Sequence, residues 1–270
     1  MSKDKYLIAL DLDGTLLTDD KRITPKTRDY LNSLGAAGHT IVIATGRPLR
    51  AAYSYQQELG IKAPLVTYNG ALTSDPSNPH FPKRTRTFDR NVLRQMVEKI
   101  GYEHLGNLMI ETEHYVYLLR HDEALNTFFW NDRGTIVYGD PFLKLKEDPL
   151  TLIFLFHQFD PESKRKITAI VESFPGLHIR FWNLEGYAEL WQGASTKKEG
   201  IEYVADYYNI PQSNVIAFGD AENDKEMLAW AKYGVWMNNG VPSVKEYAKM
   251  KTVKDNNNDG IIGVLKKLIK

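Results

Sequence analysis

Tyr6-Leu7-Ile8-Ala9-Leu10-Asp11-Leu12-Asp13-Gly14-Thr15 decides how this chain is read. Tyr6 to Leu10 is a compact apolar run of strand length, and two acids follow at its carboxyl end. Open parallel sheets bind their ligands at that end. Gly14 lets the backbone turn, so Asp11 and Asp13 both face the opening with different duties. A carboxylate is a sufficient nucleophile toward phosphorus when magnesium neutralises the phosphoryl oxygens and the leaving group is protonated. That assigns attack to Asp11 and general acid/base work to Asp13. Taken alone, Asp-x-Asp-Gly is better read as a polar turn after a strand, and its weight comes from three further segments.

Thr45-Gly46-Arg47-Pro48 closes a second β-branched run, Thr40 to Ala44. Gly46 permits close backbone approach, and Pro48 starts a helix whose free N–H groups suit a phosphate oxygen. Thr45 is equally an N-cap, and Arg47 ranks below it because it reads also as a surface charge. Lys197 and Lys198 open a helix at the end where cations are mildly unfavourable, which an anionic site would explain, although adjacent lysines are ordinarily solvated; the residues alone do not choose between the pair. Gly219-Asp220-Ala221-Glu222-Asn223-Asp224 follows the apolar Val215 to Phe218 and gathers three acids in one loop. Magnesium takes hard oxygen ligands, so Asp220 is the natural ligand, Asn223 donates to phosphate, and Asp224 orients its neighbours; Asn223 or Asp224 also begins the next helix.

Outward from these segments the chain alternates strand and helix. Thr24-Pro25 caps a helix through Leu34 closed by Gly35 and Gly38, a second helix runs from Pro48 to near Gly60, and Leu65 to Tyr68 forms a third strand before Asn69-Gly70. This βαβαβ rhythm is that of a Rossmann-like, doubly wound parallel sheet. After the polar Ser74 to Pro79 segment, strands come in neighbouring pairs, Asn107 to Glu111 with Tyr115 to Arg120 and Leu177 to Asn183 with Tyr187 to Trp191. Helical patterns at Asp89 to Ile100, His121 to Trp130 and Pro161 to Phe174 separate them, which predicts an α+β insert with a largely antiparallel sheet. The βα rhythm resumes after Ser195: a helix through Tyr208, a strand Asn214 to Phe218, a helix from Asn223, a strand Gly234 to Met237 and a last helix after Gly260, with Asp255 to Gly260 read as a surface turn. The expected division is a core of residues 1–82 and 192–270 around an insert of 83–191.

Lysine plus arginine and aspartate plus glutamate both count 34, so no overall field favours nucleic acid or anionic lipid. There is no cysteine and no apolar run of membrane-spanning length. A soluble, cytoplasmic protein without disulfides is expected, its ligand held in a local pocket.

Together, ALDLDGTLL (9–17), ATGR (44–47), YNGA (68–71), GASTKKEGI (193–201) and FGDAENDKEML (218–228) resemble the haloacid dehalogenase-like hydrolase superfamily, and in particular its Cof-type sugar-phosphate phosphatases. The resemblance implies that Asp11 is phosphorylated, that Asp13 is the acid/base, that Thr45 and Lys197 hold phosphate, and that Asp220 holds magnesium. It also implicates the backbone of Leu12 and the side chain of Asn223 at the phosphate, and has the carbonyl of Asp13 on the metal beside Asp11. The insert is similar to a type IIB cap that selects the leaving group. Two departures stand: Trp191-Gln192-Gly193 replaces a proline-bearing stretch, and Thr196-Lys197-Lys198 offers two lysines, of which alignment favours Lys197. The expected reaction is magnesium-dependent hydrolysis of a small phosphomonoester through an aspartyl phosphate; transfer to a sugar hydroxyl by a phosphotransferase or phosphomutase ranks second. Tyr115, His114, His121, Trp130, Trp182 and Tyr187 are candidates for the leaving-group pocket, against a plain core role for the aromatics. Substrate identity and oligomeric state are not encoded in any motif.

Overall fold

A computed structural model describes residues 5–129, 134–182, 184–193 and 195–269. In chain order the first elements are β1 (Leu7–Leu10), α1 (Pro25–Ala36), β2 (Thr40–Ile43), α2 (Leu49–Glu58), β3 (Leu65–Thr67), β4 (Leu72–Ser74) and β5 (Arg84–Thr85). There follow α3 (Arg90–Ile100), β6 (Leu105–Glu111), β7 (Tyr115–Leu118), α4 (Glu123–Phe128), β8 (Thr135–Tyr138), β9 (Thr151–Phe156), α5 (Pro161–Glu172), β10 (Leu177–Phe181) and β11 (Tyr187–Gln192). The chain closes with α6 (Lys197–Tyr207), β12 (Val215–Gly219), α7 (Lys225–Trp230), β13 (Tyr233–Trp236), β14 (Met250–Lys251) and α8 (Gly260–Leu268). Two compact units result: residues up to Arg84 together with those from Thr196, and Thr85–Ser195.

In the first unit a five-stranded sheet runs β14-β13-β12-β1-β2, all parallel. Side chains alternate across it, as the strand period requires. Ile8 and Leu10 of β1 pack with Leu31 of α1 and Ile261 and Leu265 of α8 on one face. Leu7 and Ala9 pack with Ile201 and Val204 of α6 and Met227 and Leu228 of α7 on the other. A central strand buried on both sides must be apolar throughout, which is why β1 reads as an unbroken run. Thr24 caps α1, its Oγ1 accepting the N–H of Thr27, and Pro25 sits where a missing N–H is harmless. Gly35 lies inside α1 rather than closing it; Gly38, at φ +92°, makes the turn. β3 meets β2 through a single bridge, Ala44 to Val66, and turns back as a hairpin with β4. The segment 255–260 is not merely a surface turn: Asn256 is buried and its Nδ2 donates to the carbonyl of Leu17, fixing α8 to the loop after β1.

In the second unit, six strands run β10-β11-β9-β6-β7-β8. All neighbouring pairs are antiparallel except β7 with β8. α3 and α5 cover one face through Leu93, Met96, Val97, Ile167 and Val171. Strands β8 and β9 are additions to the sequence reading, and β9 is central. Its TLIFLF run is apolar on successive residues because both faces are covered, and so lacks the alternation that marks a half-exposed strand. Trp182 and Tyr187 stack at 6.1 Å and 13°, and Tyr115 packs beside Tyr117. His114 is an exposed partner of Glu147, and His121 of Glu123. Trp130 and Asn183 lie outside the described residues.

Candidate active site

The sheet order makes the site. The chain leaves β1 for β2 on one side and returns to β12 on the other, so the crevice of a doubly wound sheet opens beyond their carboxyl ends. Leu10 is in register with Ile43 and with Phe218, and Asp11, Thr45 and Asp220 follow within two residues of those positions. The N–H of Asp11 still donates to the carbonyl of Phe218 at 3.2 Å. Beyond it the backbone curls, with Leu16 N–H on the Asp11 carbonyl at 3.2 Å and Leu17 N–H on that of Leu12 at 2.9 Å. Gly14 has φ +75°, and a Cβ there would lie 2.4 Å from Asp220 Oδ2, so only glycine lets the two loops close on each other.

Lys197 is fully buried at the first turn of α6, where Thr196 Oγ1 accepts the N–H of Glu199. Its ammonium lies 2.6 Å from Asp11 Oδ1 and 2.6 Å from Asp224 Oδ1. These acids explain a cation at the unfavourable end of a helix. Burial works against the lysine's charge, but the two carboxylates outweigh it and hold its pKa above the ordinary value. Lys198 turns away, pairing with Glu202 at 2.6 Å and Glu199 at 3.3 Å. The other oxygen of Asp224 accepts the N–H groups of Asp220 at 2.9 Å and Ala221 at 3.0 Å. Asp224 is thus held by three protein donors and fixes the loop that carries Asp220.

Asp11, Asp220 and Asp224 each bring a carboxylate oxygen within 4.8 Å of the others. Three carboxylates face one ammonium there, an excess of negative charge that a buried site does not tolerate uncompensated. Burial, with the Asp224 carboxylate next, lifts the Asp220 carboxyl to about 7, while Lys197 and a 3.3 Å hydrogen bond from Thr15 pull it down. Burial likewise lifts the Asp11 carboxyl against the pull of Lys197. Hard oxygen donors in negative excess fit a small divalent cation.

Asp13 has the opposite environment. Arg47 Nε and Nη2 donate to its two oxygens at 2.7 Å each, and Lys21 Nζ to one of them at 2.6 Å. Burial raises this carboxyl, but the two cations win and hold it at about 2. Arg47 is itself buried, lies over the ring of Tyr55, and donates to the Tyr55 hydroxyl at 3.4 Å. That hydroxyl in turn donates to the carbonyl of Lys21 at 3.2 Å. The guanidinium read from sequence as a phosphate contact donates to Asp13 in this structure. Thr45 is buried, its Oγ1 accepting the N–H of Arg47 at 3.1 Å. Leu12 is fully buried between the two acids, and Gly46 abuts the amide of Asn69. Asn223 donates from Nδ2 to Asn69 Oδ1 at 2.8 Å.

Lys21, Tyr55 and Asn69 had no assigned part in the sequence reading. Lys21 stands among ordinary loop charges and Tyr55 is one helix tyrosine among others, so neither carries a signal. Asn69 does carry one: it lies in the YNGA segment that contributes to the family resemblance, where the Asn69-Gly70 pair also reads as a plain turn.

Residues 8–265 match the family described as haloacid dehalogenase-like hydrolase. The chain belongs to that family. Among curated relatives it is 34% identical over 266 residues, 98% of each chain, to the 5-amino-6-(5-phospho-D-ribitylamino)uracil phosphatase YitU of Bacillus subtilis. A haloacid dehalogenase-like hydrolase from Bacteroides thetaiotaomicron superposes with a TM-score of 0.82 at 21% identity, covering 98% of this chain and 100% of that one. The subclass IIB sugar phosphatase BT4131 superposes with a TM-score of 0.79 at 22% identity, covering 98% and 99%. This haloacid dehalogenase-like hydrolase is an enzyme of the phosphatase kind. No helix among the described residues is long and apolar enough to cross a membrane.

Proposed function

We propose that the chain is a magnesium-dependent phosphatase that hydrolyses small phosphomonoesters through an aspartyl phosphate on Asp11. The observation that carries this reading is the buried pairing of Lys197 with Asp11 and Asp224 beside the carboxylate of Asp220. Asp11, Asp220 and the carbonyl of Asp13 would hold the magnesium ion, which when bound offsets charge on the phosphoryl oxygens. Asp11 attacks phosphorus in line, and the bond from phosphorus to the leaving oxygen breaks. Lys197 engages two of its three N–H groups with Asp11 and Asp224, leaving the third for a phosphoryl oxygen. Thr45, the backbone at Leu12 and Gly46, and the amide of Asn223 complete the phosphate cradle.

Asp13, held as a carboxylate by Arg47 and Lys21, is suited to take the proton of the water that attacks the aspartyl phosphate. Its earlier task, giving a proton to the departing alkoxide, requires the carboxyl first to leave Arg47 and take up a proton from solvent, which it then passes to the leaving oxygen as the bond to phosphorus breaks. Arg47 on this reading serves Asp13 and not the phosphate. The second unit, Thr85–Ser195, contributes no member of this set, and we assign to it, as a type IIB cap, the choice of leaving group. Sugar phosphates and phosphorylated cofactors or their precursors are the substrate classes to try, the latter supported by the relative named for a phosphoribitylamino-uracil.

The test is phosphate release from a panel holding glucose 6-phosphate, flavin mononucleotide, pyridoxal phosphate and 5-amino-6-(5-phospho-D-ribitylamino)uracil, with magnesium or chelator. Magnesium-dependent release that Asp11→Asn abolishes is the expected result. Substantial turnover by purified Asp11→Asn overturns the assignment of the nucleophile.

A further inference from the structure

We propose that Asn69 is a positioning residue for the phosphate cradle, itself joining the loops of Thr45 and Asn223 in a turn whose Gly70 also reaches the segment of Lys197. It sits in the tight turn Tyr68–Gly70 that ends β3. Its own N–H donates to the carbonyl of Thr45 at 3.0 Å, and that of Tyr68 to the carbonyl of Arg47 at 3.2 Å, so the turn fixes the loop after β2 from below. Its side-chain Oδ1 accepts from Asn223 Nδ2 at 2.8 Å, which aims the carboxamide of the loop after β12. A Cβ on Gly46 would lie 3.1 Å from that same Oδ1, so the amide also packs directly on the Thr45-Gly46 backbone. The next residue, Gly70, completes the set: a Cβ there would lie 2.0 Å from the carbonyl of Thr196 and 3.3 Å from the nitrogen of Lys197. One turn thus touches the loops that carry Thr45, Asn223 and Lys197.

The backbone shows that this arrangement is imposed. Tyr68 has φ +51° and Asn69 φ +54°, two successive non-glycine residues in the left-handed region, and a bulky tyrosine there is uncommon. Asparagine tolerates that region better than other side chains, but glycine would fill it without strain. A turn chosen for stability alone would carry glycine at position 69. The residue present supplies an amide, and the amide is spent on Asn223 and Gly46. Strained conformations that persist beside a site are held there by the surrounding structure.

The proposal rests on the reading of Asn223 as a phosphate ligand, and the experiment separates the two. Asn69→Gly, Asn69→Ala, Asn223→Ala and the double variant Asn69→Gly/Asn223→Ala are compared for melting midpoint, kcat and KM on one substrate, and inhibition by inorganic phosphate. Asn69→Gly is expected to melt close to the wild-type midpoint, because relief of the left-handed strain offsets the lost hydrogen bond to Asn223 and the freer unfolded chain, and yet to lose at least tenfold in kcat/KM and in phosphate affinity. Asn69→Ala is expected to lose activity and stability together. In the double variant the two losses should not multiply: it should be no worse than about threefold below Asn223→Ala alone, since Asn69 acts through Asn223. Wild-type kcat/KM in Asn69→Gly overturns the proposal, as do fully multiplicative losses in the double variant. If Asn223→Ala itself leaves phosphate inhibition and turnover unchanged, the role of Asn223 fails first and this proposal with it, while the Asp11→Asn result stands independently.

Discussion

Replacing Asp220 by asparagine should stabilise the metal-free protein at neutral pH while destroying its response to magnesium. The folded-state carboxyl rises from 3.8 to about 7, chiefly through burial and then repulsion from Asp224. The unfolded chain therefore releases this proton near pH 4 and the folded chain near pH 7. Stability is unaffected below pH 4, falls as pH rises from about 4 to 7, and stays low above that. At about 1.36 kcal/mol per unit the full shift is roughly 4 kcal/mol. Residual solvent contact and titration shared with Asp11 bring the expectation nearer 2 kcal/mol, or roughly 4–8 °C in a chain of this size. Melting curves at pH 5 and pH 7.5, in chelator and in excess magnesium, read the effect. Wild type in chelator should lose midpoint between the two pH values and recover it with magnesium, by mass action on the folded state. Asp220→Asn should be flatter with pH in chelator, melt higher than wild type at pH 7.5, and gain little from magnesium. An Asp220→Asn protein that melts at or below wild type in chelator at pH 7.5 would refute the charge balance described for the cluster.

Two further outcomes follow from the loop after β1. Arg47→Met removes the two-point clamp that holds the Asp13 carboxyl at about 2, so the acidic limb for hydrolysis of the aspartyl phosphate, read in kcat under conditions where that step limits turnover, should move up by at least one unit; a limb that stays where it was shows that Asp13 is not the base of that step. Gly14→Ala places a Cβ 2.4 Å from Asp220 Oδ2 at φ +75°, so it should lower magnesium affinity at least tenfold in a thermal-shift titration, and a wild-type titration would refute the close approach.

The α/β fold was legible because its signals are local. A buried parallel strand is a short apolar run, its helices announce themselves by Thr24-Pro25 or Pro48, and the acids stand where the runs stop. The insert was harder because its central strand β9 lies between two buried faces and shows no alternation. In the core, β14 escaped because it is only Met250–Lys251 and owes its existence to β13 beside it. Asn256 was hidden for a related reason. In a run of asparagines and aspartates nothing local distinguishes the one side chain that turns inward to Leu17 from those that face water.

In the site, residue types marked the participants but not their partners. Arg47 beside Thr45 and Gly46 has the composition of a phosphate ligand, and only the position of Tyr55 on α2 and Lys21 in the first loop turns it toward Asp13. That pairing gives two acids, two residues apart, opposite electrostatics. Asp11 is buried and has Asp224 and Asp220 beside it, so burial first and then those carboxylates drive its carboxyl up against the pull of the shared Lys197, and the ionised form needs further positive charge. Asp13 has two cations to itself, and its carboxyl is driven down to about 2. Under the mechanism proposed above, a pair of carboxylates pushed apart in this way would divide the labour: Asp11, whose ionised form needs further positive charge, would bond phosphorus, and Asp13, ionised without help, would accept the proton of water. Asp-x-Asp specifies two acids at a strand end; the loops after β2, β3 and β12 decide that they differ.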